Sequence, residues 1–283
     1  MTRFTVLGAG GYLGQALTVR LENAGHCVHA ITRAALPALL ETRRPVGHVI
    51  DCIGLTGDFR TRPLDTAQAH VGITAQCLAA LRCDSFLFVS SSRVYARAAS
   101  TREDAMLACA PSDSSDLYNL TKLAGEALCL SDPHPTRRVV RLSNVYGPGL
   151  GEDTFLGQLL AEGQVTGSVR FRQSENSAKD YVSLEQVLRI LPLIALHGSA
   201  RLYNVAAGRN TTHAAIAAAL HDSLGWDTTF EPGAPTVCFP PIETARLDAE
   251  FGAALSDLSA DLRTIAPPVA EVPCSPSTRL PTG

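Results

Sequence analysis

The 283-residue chain has no Cys-x-x-Cys pair, no block of basic residues, no internal repeat and no apolar run long enough to cross a bilayer. Each absence excludes a class of protein. The eight cysteines, at 27, 52, 77, 83, 109, 129, 238 and 274, lack the spacing of a zinc site or a disulfide framework, and no metal site is predicted. Most stand in apolar settings such as Asp51-Cys52-Ile53 and Ala127-Leu128-Cys129, which predicts reduced thiols in the core. A net charge of −3 without a basic cluster argues against nucleic acid and against anionic membrane as partners. A spanning helix needs about 20 apolar residues. The first residues enter a strand at once and leave no room for a signal peptide, so the expected compartment is the cytoplasm. With 46% hydrophobic residues, the chain can bury one large core, or a main domain with a smaller appendage.

What is present begins with Phe4-Thr5-Val6-Leu7, a short β-type run, followed by Gly8-Ala9-Gly10-Gly11-Tyr12-Leu13-Gly14 and an amphipathic segment that stops at Gly25. This reads as strand, glycine turn, helix. Gly8 allows the tight turn, Gly11 lets the backbone approach a pyrophosphate, and Gly14 permits close packing of helix on strand. A diphosphate there meets free N–H groups and the positive end of the helix dipole. Gly8, Gly11, Tyr12, Leu13 and Gly14 are therefore candidate cofactor contacts. The spacing is G-x-x-G-x-x-G, and its place between a strand and a helix gives it weight. The second strand ends Ala30-Ile31-Thr32-Arg33, with arginine where an NAD-selective site has Asp or Glu on the ribose 2′-hydroxyl. A guanidinium pairs with a 2′-phosphate by forked, charge-assisted hydrogen bonds. The expected cofactor is NADP(H), ahead of NAD(H), with Arg33 as the discriminating contact.

Tyr118 and Lys122 stand one helical turn apart in Asp116-Leu117-Tyr118-Asn119-Leu120-Thr121-Lys122, and Ser90-Ser91-Ser92 lies upstream. A phenol with a pKa of about 10 is a poor acid or base near neutrality. An ammonium beside it favours the phenolate and lowers that value, and a serine hydroxyl can hold a substrate oxygen against the phenol.

Strands are expected at 4–7, 27–32, 47–53, 85–90 and 137–142, with helices at 12–23, about 65–82 and 116–130. This alternation predicts an α/β fold, a doubly wound parallel sheet of Rossmann type, with active groups at strand C-termini. The chain resembles the extended short-chain dehydrogenase/reductase family, whose members mostly act on nucleotide-activated sugars. The resemblance runs from about Arg3 to Leu220. Its blocks are Gly8 to Gly14, Phe88 to Tyr95, Tyr118 to Glu126, Arg141 to Gly149, Lys179-Asp180-Tyr181-Val182 and Leu202-Tyr203-Asn204-Val205.

The resemblance implies that Ser91, three positions before Val94-Tyr95, is catalytic together with Tyr118 and Lys122. It implies that Lys122 also bonds the nicotinamide ribose, that Gly54 and Gly57 allow close approach to the nicotinamide half, and that Thr56 meets cofactor or substrate. Ser91, Ser92, Asn144 and Lys179 are the implied substrate contacts, the last two at a sugar-nucleotide diphosphate. Lys179 replaces the usual arginine and keeps the charge without the fork. His70, where relatives carry asparagine, is read as structural. Arg60, Arg62, Arg172 and Arg209 are divided between phosphate contact and plain solvation. Only about a dozen residues separate Arg33 from Pro45, so one strand of the family's sheet, between residues 33 and 45, is expected to be missing or vestigial.

The expected organisation is a dinucleotide-binding domain at 1–150 with a returning segment near 179–206, a mainly substrate-binding lobe at 151–266, and a disordered tail at 267–283. In the lobe, helices are expected at 154–163 and 211–224 and a strand at 169–172. The expected activity is NADP(H)-dependent reduction of a 4-keto nucleotide sugar. A nucleotide-sugar epimerase with retained cofactor is the alternative, and a non-catalytic NADP-binding regulator is the alternative of another class. Dehydration is disfavoured, because the family's dehydratases need an acidic residue where this chain has Ser92 and Arg93. A homodimer is the assembly allowed for.

Overall fold

The computed structural model describes residues 1–42, 44–55, 57, 59–252 and 256–265. Thr56, Cys274 and the expected tail at 267–283 lie outside them. The first half alternates strictly: β1 (Arg3–Leu7), α1 (Tyr12–Asn23), β2 (Cys27–Ile31), α2 (Leu36–Leu40), β3 (His48–Asp51), α3 (Pro63–Ala67), α4 (Ile73–Ala80), β4 (Ser85–Ser91), α5 (Asp116–Ser131) and β5 (Arg137–Leu142). A π-helical turn, Gln68–Gly72, joins α3 to α4 without a break. The second half holds β6 (Asn144–Tyr146), α6 (Phe155–Thr166), β7 (Ser168–Phe171), β8 (Ala178–Ser183), α7 (Leu184–His197), β9 (Leu202–Val205), β10 (Asn210–Thr212), α8 (His213–Leu224), β11 (Asp227–Phe230), α9 (Ala245–Phe251) and α10 (Leu258–Ile265).

The main sheet has six strands in the order β2-β1-β3-β4-β5-β9, every neighbouring pair parallel. The fold is thus the expected parallel α/β one. Strands buried on both faces need apolar side chains in both directions, and β4 supplies them. Leu87 and Val89 join the layer under α1 and α7, while Phe86 and Phe88 join the opposite layer with Cys77 of α4 and Cys129 of α5. The winding reverses between β1 and β3, which opens a crevice at their C-terminal ends. Between β2 and β3 the described residues form only the short α2, so β2 is the sheet edge, as the short spacer implied.

That edge corrects one expectation. Cys77 and Cys129 are buried, but Cys27 on the edge strand and Cys238 are exposed, so the cysteines are not uniformly core residues. A second apolar cluster forms around Tyr146, Phe171, Trp226 and Leu262, between α6, α8, α10 and the small sheets β10-β8-β6 and β11-β7. Helix α8 starts at His213 rather than at 211. Asn210–Thr212 pairs with β8, and the Thr212 hydroxyl caps the helix by accepting from the Ala215 N–H. Likewise β7 sits one residue earlier than expected, and α6 runs on to Thr166. No helix among the described residues is long and apolar enough to cross a membrane.

Candidate active site

The glycine turn lies at the switch point. Gly8 has φ +77°, and a Cβ there would come within 3.0 Å of the Cys52 carbonyl at the end of β3. A Cβ on Gly14 would stand 2.2 Å from the Gly8 carbonyl oxygen, so helix and turn touch backbone to backbone. Gly11 is the N-cap of α1 and offers no side chain to its N–H groups, and no acidic residue occupies the first turn. Those donors are left for a ligand, and the site suits an anion. Leu13 packs into the layer beneath. Tyr12 lies against the Gly147-Pro148-Gly149 turn. Its hydroxyl is buried without a partner, and burial pushes its pKa up to about 12. An orphaned buried hydroxyl and an uncapped helix start fit a polar ligand in this crevice. Arg33, two residues beyond β2, is exposed on the same rim.

Ser91 ends β4, and its hydroxyl caps the following 3-10 turn, Ser92–Tyr95, by accepting from the Arg93 N–H at 3.2 Å. Ser92, half-buried, opens that turn. Tyr118, on the first turn of α5, is buried. Burial raises the pKa of its phenol, while hydrogen bonding to the Ser91 side chain and the Arg93 charge pull the other way. The Phe59 ring lies 5.3 Å from the Tyr118 ring, and the His70 ring meets it edge-on at 5.2 Å.

Lys122 departs from its expected partner. It shares a helix face with Tyr118, yet its ammonium donates to the Val89 carbonyl at 2.9 Å and stands 5.0 Å from the Phe88 ring centre. Burial pulls its pKa down to about 8, opposed by Asp51, Glu126 and Cys52. The charges that ease ionisation of Tyr118 are therefore Ser91's dipole and Arg93, not Lys122. The flexible lysine stem reaches across to the Val89 carbonyl of β4, where the Asp51 charge supports its ammonium. Gly54 makes room for it: a Cβ at Gly54 would lie 3.4 Å from the Lys122 Nζ and 3.3 Å from the His70 Nε2.

His70 is fully buried inside the π-helical turn, where such turns commonly serve sites. Its Nε2 accepts from the Leu55 N–H at 3.3 Å, so Nδ1 carries the proton and donates to the Thr121 Oγ1 at 2.9 Å. Burial and the Lys122 charge hold its pKa down at about 2, which keeps the ring neutral. The residue thereby ties the loop after β3 to α5. Asp51 receives the Ile53 N–H at 3.0 Å, and burial pushes its carboxyl up to about 6.

Below these groups lies a buried polar network that sequence reasoning missed. Glu126, one turn past Lys122, accepts from the Ser90 hydroxyl and from the Arg141 guanidinium at 2.6, 3.0 and 3.1 Å. Arg141 Nη1 donates to the Tyr95 hydroxyl at 2.7 Å, which donates to the Asn204 Oδ1 at 2.8 Å. The network locks β4, β5, β9 and α5 at the end that carries Ser91 and Tyr118. Arg141, a charge between Val140 and Leu142 near the end of a buried strand, was its one sequence signal.

On the opposite side, Asn144 opens β6 and donates to the Asp180 carbonyl at 2.7 Å. Lys179 precedes it on β8, half-buried, with its ammonium 5.2 Å from the Phe155 ring centre; burial and the Arg93 charge lower its pKa. The two residues implied at a diphosphate thus share one pair of strands. Arg209 instead pairs with Asp257 at 3.1 Å, Arg60 donates to the Ser115 hydroxyl at 3.1 Å, and Arg172 is exposed. Arg62 is held by Asp65 at 2.8 Å. Gly57 approaches the second lobe, where a Cβ would lie 3.1 Å from Asp153.

A glycine turn at the switch point of a parallel sheet, with serine, tyrosine and lysine at the end of β4 and on α5, defines a dinucleotide-binding protein of the short-chain dehydrogenase/reductase class. Residues 4–206 match the model of the NAD dependent epimerase/dehydratase family, and the chain belongs to that family of NAD(P)-dependent enzymes. Among curated proteins it is 25% identical over 181 residues to GDP-mannose 3,5-epimerase 1 of Oryza sativa subsp. indica, covering 52% of this chain and 47% of the relative. The chain spans about half the length of the curated relatives it matches. Solved structures share the fold at low identity. The MoeE5 protein in complex with UDP-glucose and NAD aligns at TM-score 0.77 and 21% identity, covering 93% of this chain and 97% of its own. RMD from Pseudomonas aeruginosa complexed with NADPH aligns at TM-score 0.78 and 21% identity, covering 94% and 98%.

Proposed function

We propose that the chain is an NADP(H)-dependent oxidoreductase that reduces a 4-keto sugar of a nucleoside diphosphate. The observation that carries this reading is that Ser91, at the end of β4, and the buried Tyr118, on the first turn of α5, act on one another beside a crevice whose glycine turn and uncapped helix suit a pyrophosphate. Burial keeps the Tyr118 phenol protonated, the form in which it can donate a proton to an oxygen held by Ser91. NADP(H) supplies the hydride when bound. Gly8, Gly11, Tyr12, Leu13 and Gly14 would face its pyrophosphate, Arg33 its 2′-phosphate, and Gly54 and Lys122 its nicotinamide ribose. Asn144 and Lys179 would hold the substrate diphosphate, with Ser92 beside the sugar. Residues 1–150, with the return near 179–206, would form the dinucleotide-binding domain and 151–266 the mainly substrate-binding lobe, with Ser92, Asn144 and Lys179 meeting the substrate from the first of these. A cytoplasmic setting suits the free cysteines described.

Epimerisation is the second reading, favoured by the curated relatives' name. The exposed Arg33 supports the reductase, because a reductase must exchange its cofactor at each turnover. The test is incubation of the protein with NADPH and a panel of 4-keto nucleotide sugars, following absorbance loss. Stoichiometric consumption of NADPH supports reduction, whereas product formation without it, from protein carrying a retained cofactor, supports epimerisation. No turnover with cofactor bound supports the regulator.

A further inference from the structure

Beside Tyr118 lies a cation that this reading leaves without a task. Arg93 is the second residue of the 3-10 turn after β4, half-buried, with its guanidinium 5.6 Å from the Phe59 ring centre. Among the described residues its side chain makes one hydrogen bond, from Nη2 to the Ser115 carbonyl at 3.4 Å, which is long, and its Nε is buried without a partner there. Among the described residues no carboxylate forms an ion pair with it. Asp116 and Asp113 attract it from a distance, but both are held directly by Arg97, at 2.9 and 2.5 Å.

Two further cations stand near. Arg60 stacks 4.4 Å from the same Phe59 ring and repels Arg93. Lys179 reaches in from β8, also without an ion pair among the described residues, and feels the Arg93 charge. Of these three cations it is Arg93 whose charge acts on the Tyr118 phenol, and among the described residues neither Arg93 nor Lys179 has a carboxylate paired with it. A half-buried charge left uncompensated is unfavourable, and an arriving anion relieves that cost. The substrate diphosphate, held at Lys179 and Asn144, accounts for one of these cations. Arg93 stands instead at Tyr118 and Ser91, where the reacting oxygen of the sugar is held, so the anion it meets belongs to the sugar ring itself.

We propose that Arg93 recognises a carboxylate on the sugar, so that the substrate is a nucleoside diphosphate uronic acid or its keto form rather than a neutral hexose. This rests on the nucleotide-sugar reading above and adds the charge of the sugar to it. The guanidinium fork suits a carboxylate through two parallel N–H···O bonds, and the unpartnered Nε is free to make one of them.

The test is calorimetry on the full chain loaded with NADPH. UDP, GDP and dTDP are titrated alongside a uronic acid and a neutral hexose of each nucleotide, UDP-glucuronic acid and UDP-glucose for the first. In the wild type the uronate should bind about 10- to 100-fold more tightly than the hexose of the same nucleotide, the worth of hydrogen bonds to a charged group. Arg93→Gln should collapse that ratio towards one, and Arg93→Lys should retain part of it. NADPH affinity reports whether each variant is folded. Should Arg93→Gln fail that check, the wild-type ratio and Arg93→Lys decide. A uronate-to-hexose ratio within threefold in the wild type, or one unmoved by Arg93→Gln, overturns the proposal. Equal weakening of uronate, hexose and free nucleoside diphosphate also overturns it, by assigning Arg93 to the diphosphate and leaving the proposed function standing. Failure of every nucleotide and nucleotide sugar to bind a protein that binds NADPH overturns the nucleotide-sugar reading, and this inference with it.

Discussion

Replacing Glu126 with alanine tests the buried network that holds the candidate site. The Arg141 and Glu126 side chains are 5% and 4% exposed, and the carboxylate accepts three short bonds from the guanidinium as well as the Ser90 hydroxyl. Removing it leaves Arg141 buried, with the Tyr95 hydroxyl and the Glu103 carbonyl as its only acceptors among the described residues. Breaking a buried pair from one side costs about 3–5 kcal/mol. For a chain of this size that corresponds to a fall in Tm on the order of 10 °C. Replacing both partners, Glu126→Leu with Arg141→Met, should recover much of the loss, because neither charge is then stranded. Chemical denaturation of the wild type, Glu126→Leu, Arg141→Met and the double variant gives the coupling directly. A loss below about 1 kcal/mol for Glu126→Ala, or additive losses in the double variant, would refute the view that this pair is a dry, mutually dependent unit. Activity should fall with stability, since Ser90 and Tyr95 flank Ser91 and its turn.

Gly14→Ala places a Cβ 2.2 Å from the Gly8 carbonyl oxygen, a backbone atom that cannot swing away. It should destabilise by about 1–3 kcal/mol and weaken cofactor binding, and an unchanged denaturation midpoint would contradict the close approach. Arg33→Asp should lower NADPH affinity by about 10- to 100-fold and leave NADH affinity nearly unchanged; tighter NADH binding by the wild type would refute the cofactor assignment. Lys122 has a pKa of about 8 in the folded chain against 10.5 as a free side chain, so its ammonium is lost as pH rises through about 8. The unfolded chain keeps its proton longer, so this group makes the fold more stable with rising pH between those two values. Asp51→Asn removes a charge that supports the ammonium, and the alkaline limb of cofactor binding should move to lower pH, as read by fluorescence titration across pH.

The parallel sheet was legible because its signals are local. Phe86 to Val89 is an apolar run ending in serines, and Gly8 to Gly14 follows a strand directly. The edge position of β2 was legible from the short spacer before Pro45, although its consequence for Cys27 was not drawn. Helix spacing put Tyr118 and Lys122 on one face, but spacing fixes Cα positions and leaves a four-carbon stem free to choose. Lys122 chose the Val89 carbonyl and the neighbourhood of Asp51, contacts that exist only once β3, β4 and α5 are assembled. His70 could be read as structural, yet its bond to the Leu55 N–H depends on a π-helical turn that no periodicity announces. In the sequence, Arg93 is legible only as the absence of an acid. Its unpaired charge beside Tyr118 emerges when Phe59, Ser115 and Lys179 converge from distant segments. The start of α8 was blurred because a threonine such as Thr212 serves equally as strand end and helix cap.

The measurement that bears most directly on the account is a comparison of wild type and Tyr118→Phe in NADPH oxidation with a 4-keto nucleotide sugar, each paired with a cofactor binding titration. The account predicts that Tyr118→Phe binds NADPH nearly as the wild type does and loses turnover by about 100-fold or more, the worth of a positioned proton donor. Turnover within a few-fold of the wild type at unchanged cofactor affinity would remove Tyr118 from the chemistry and contradict the site described.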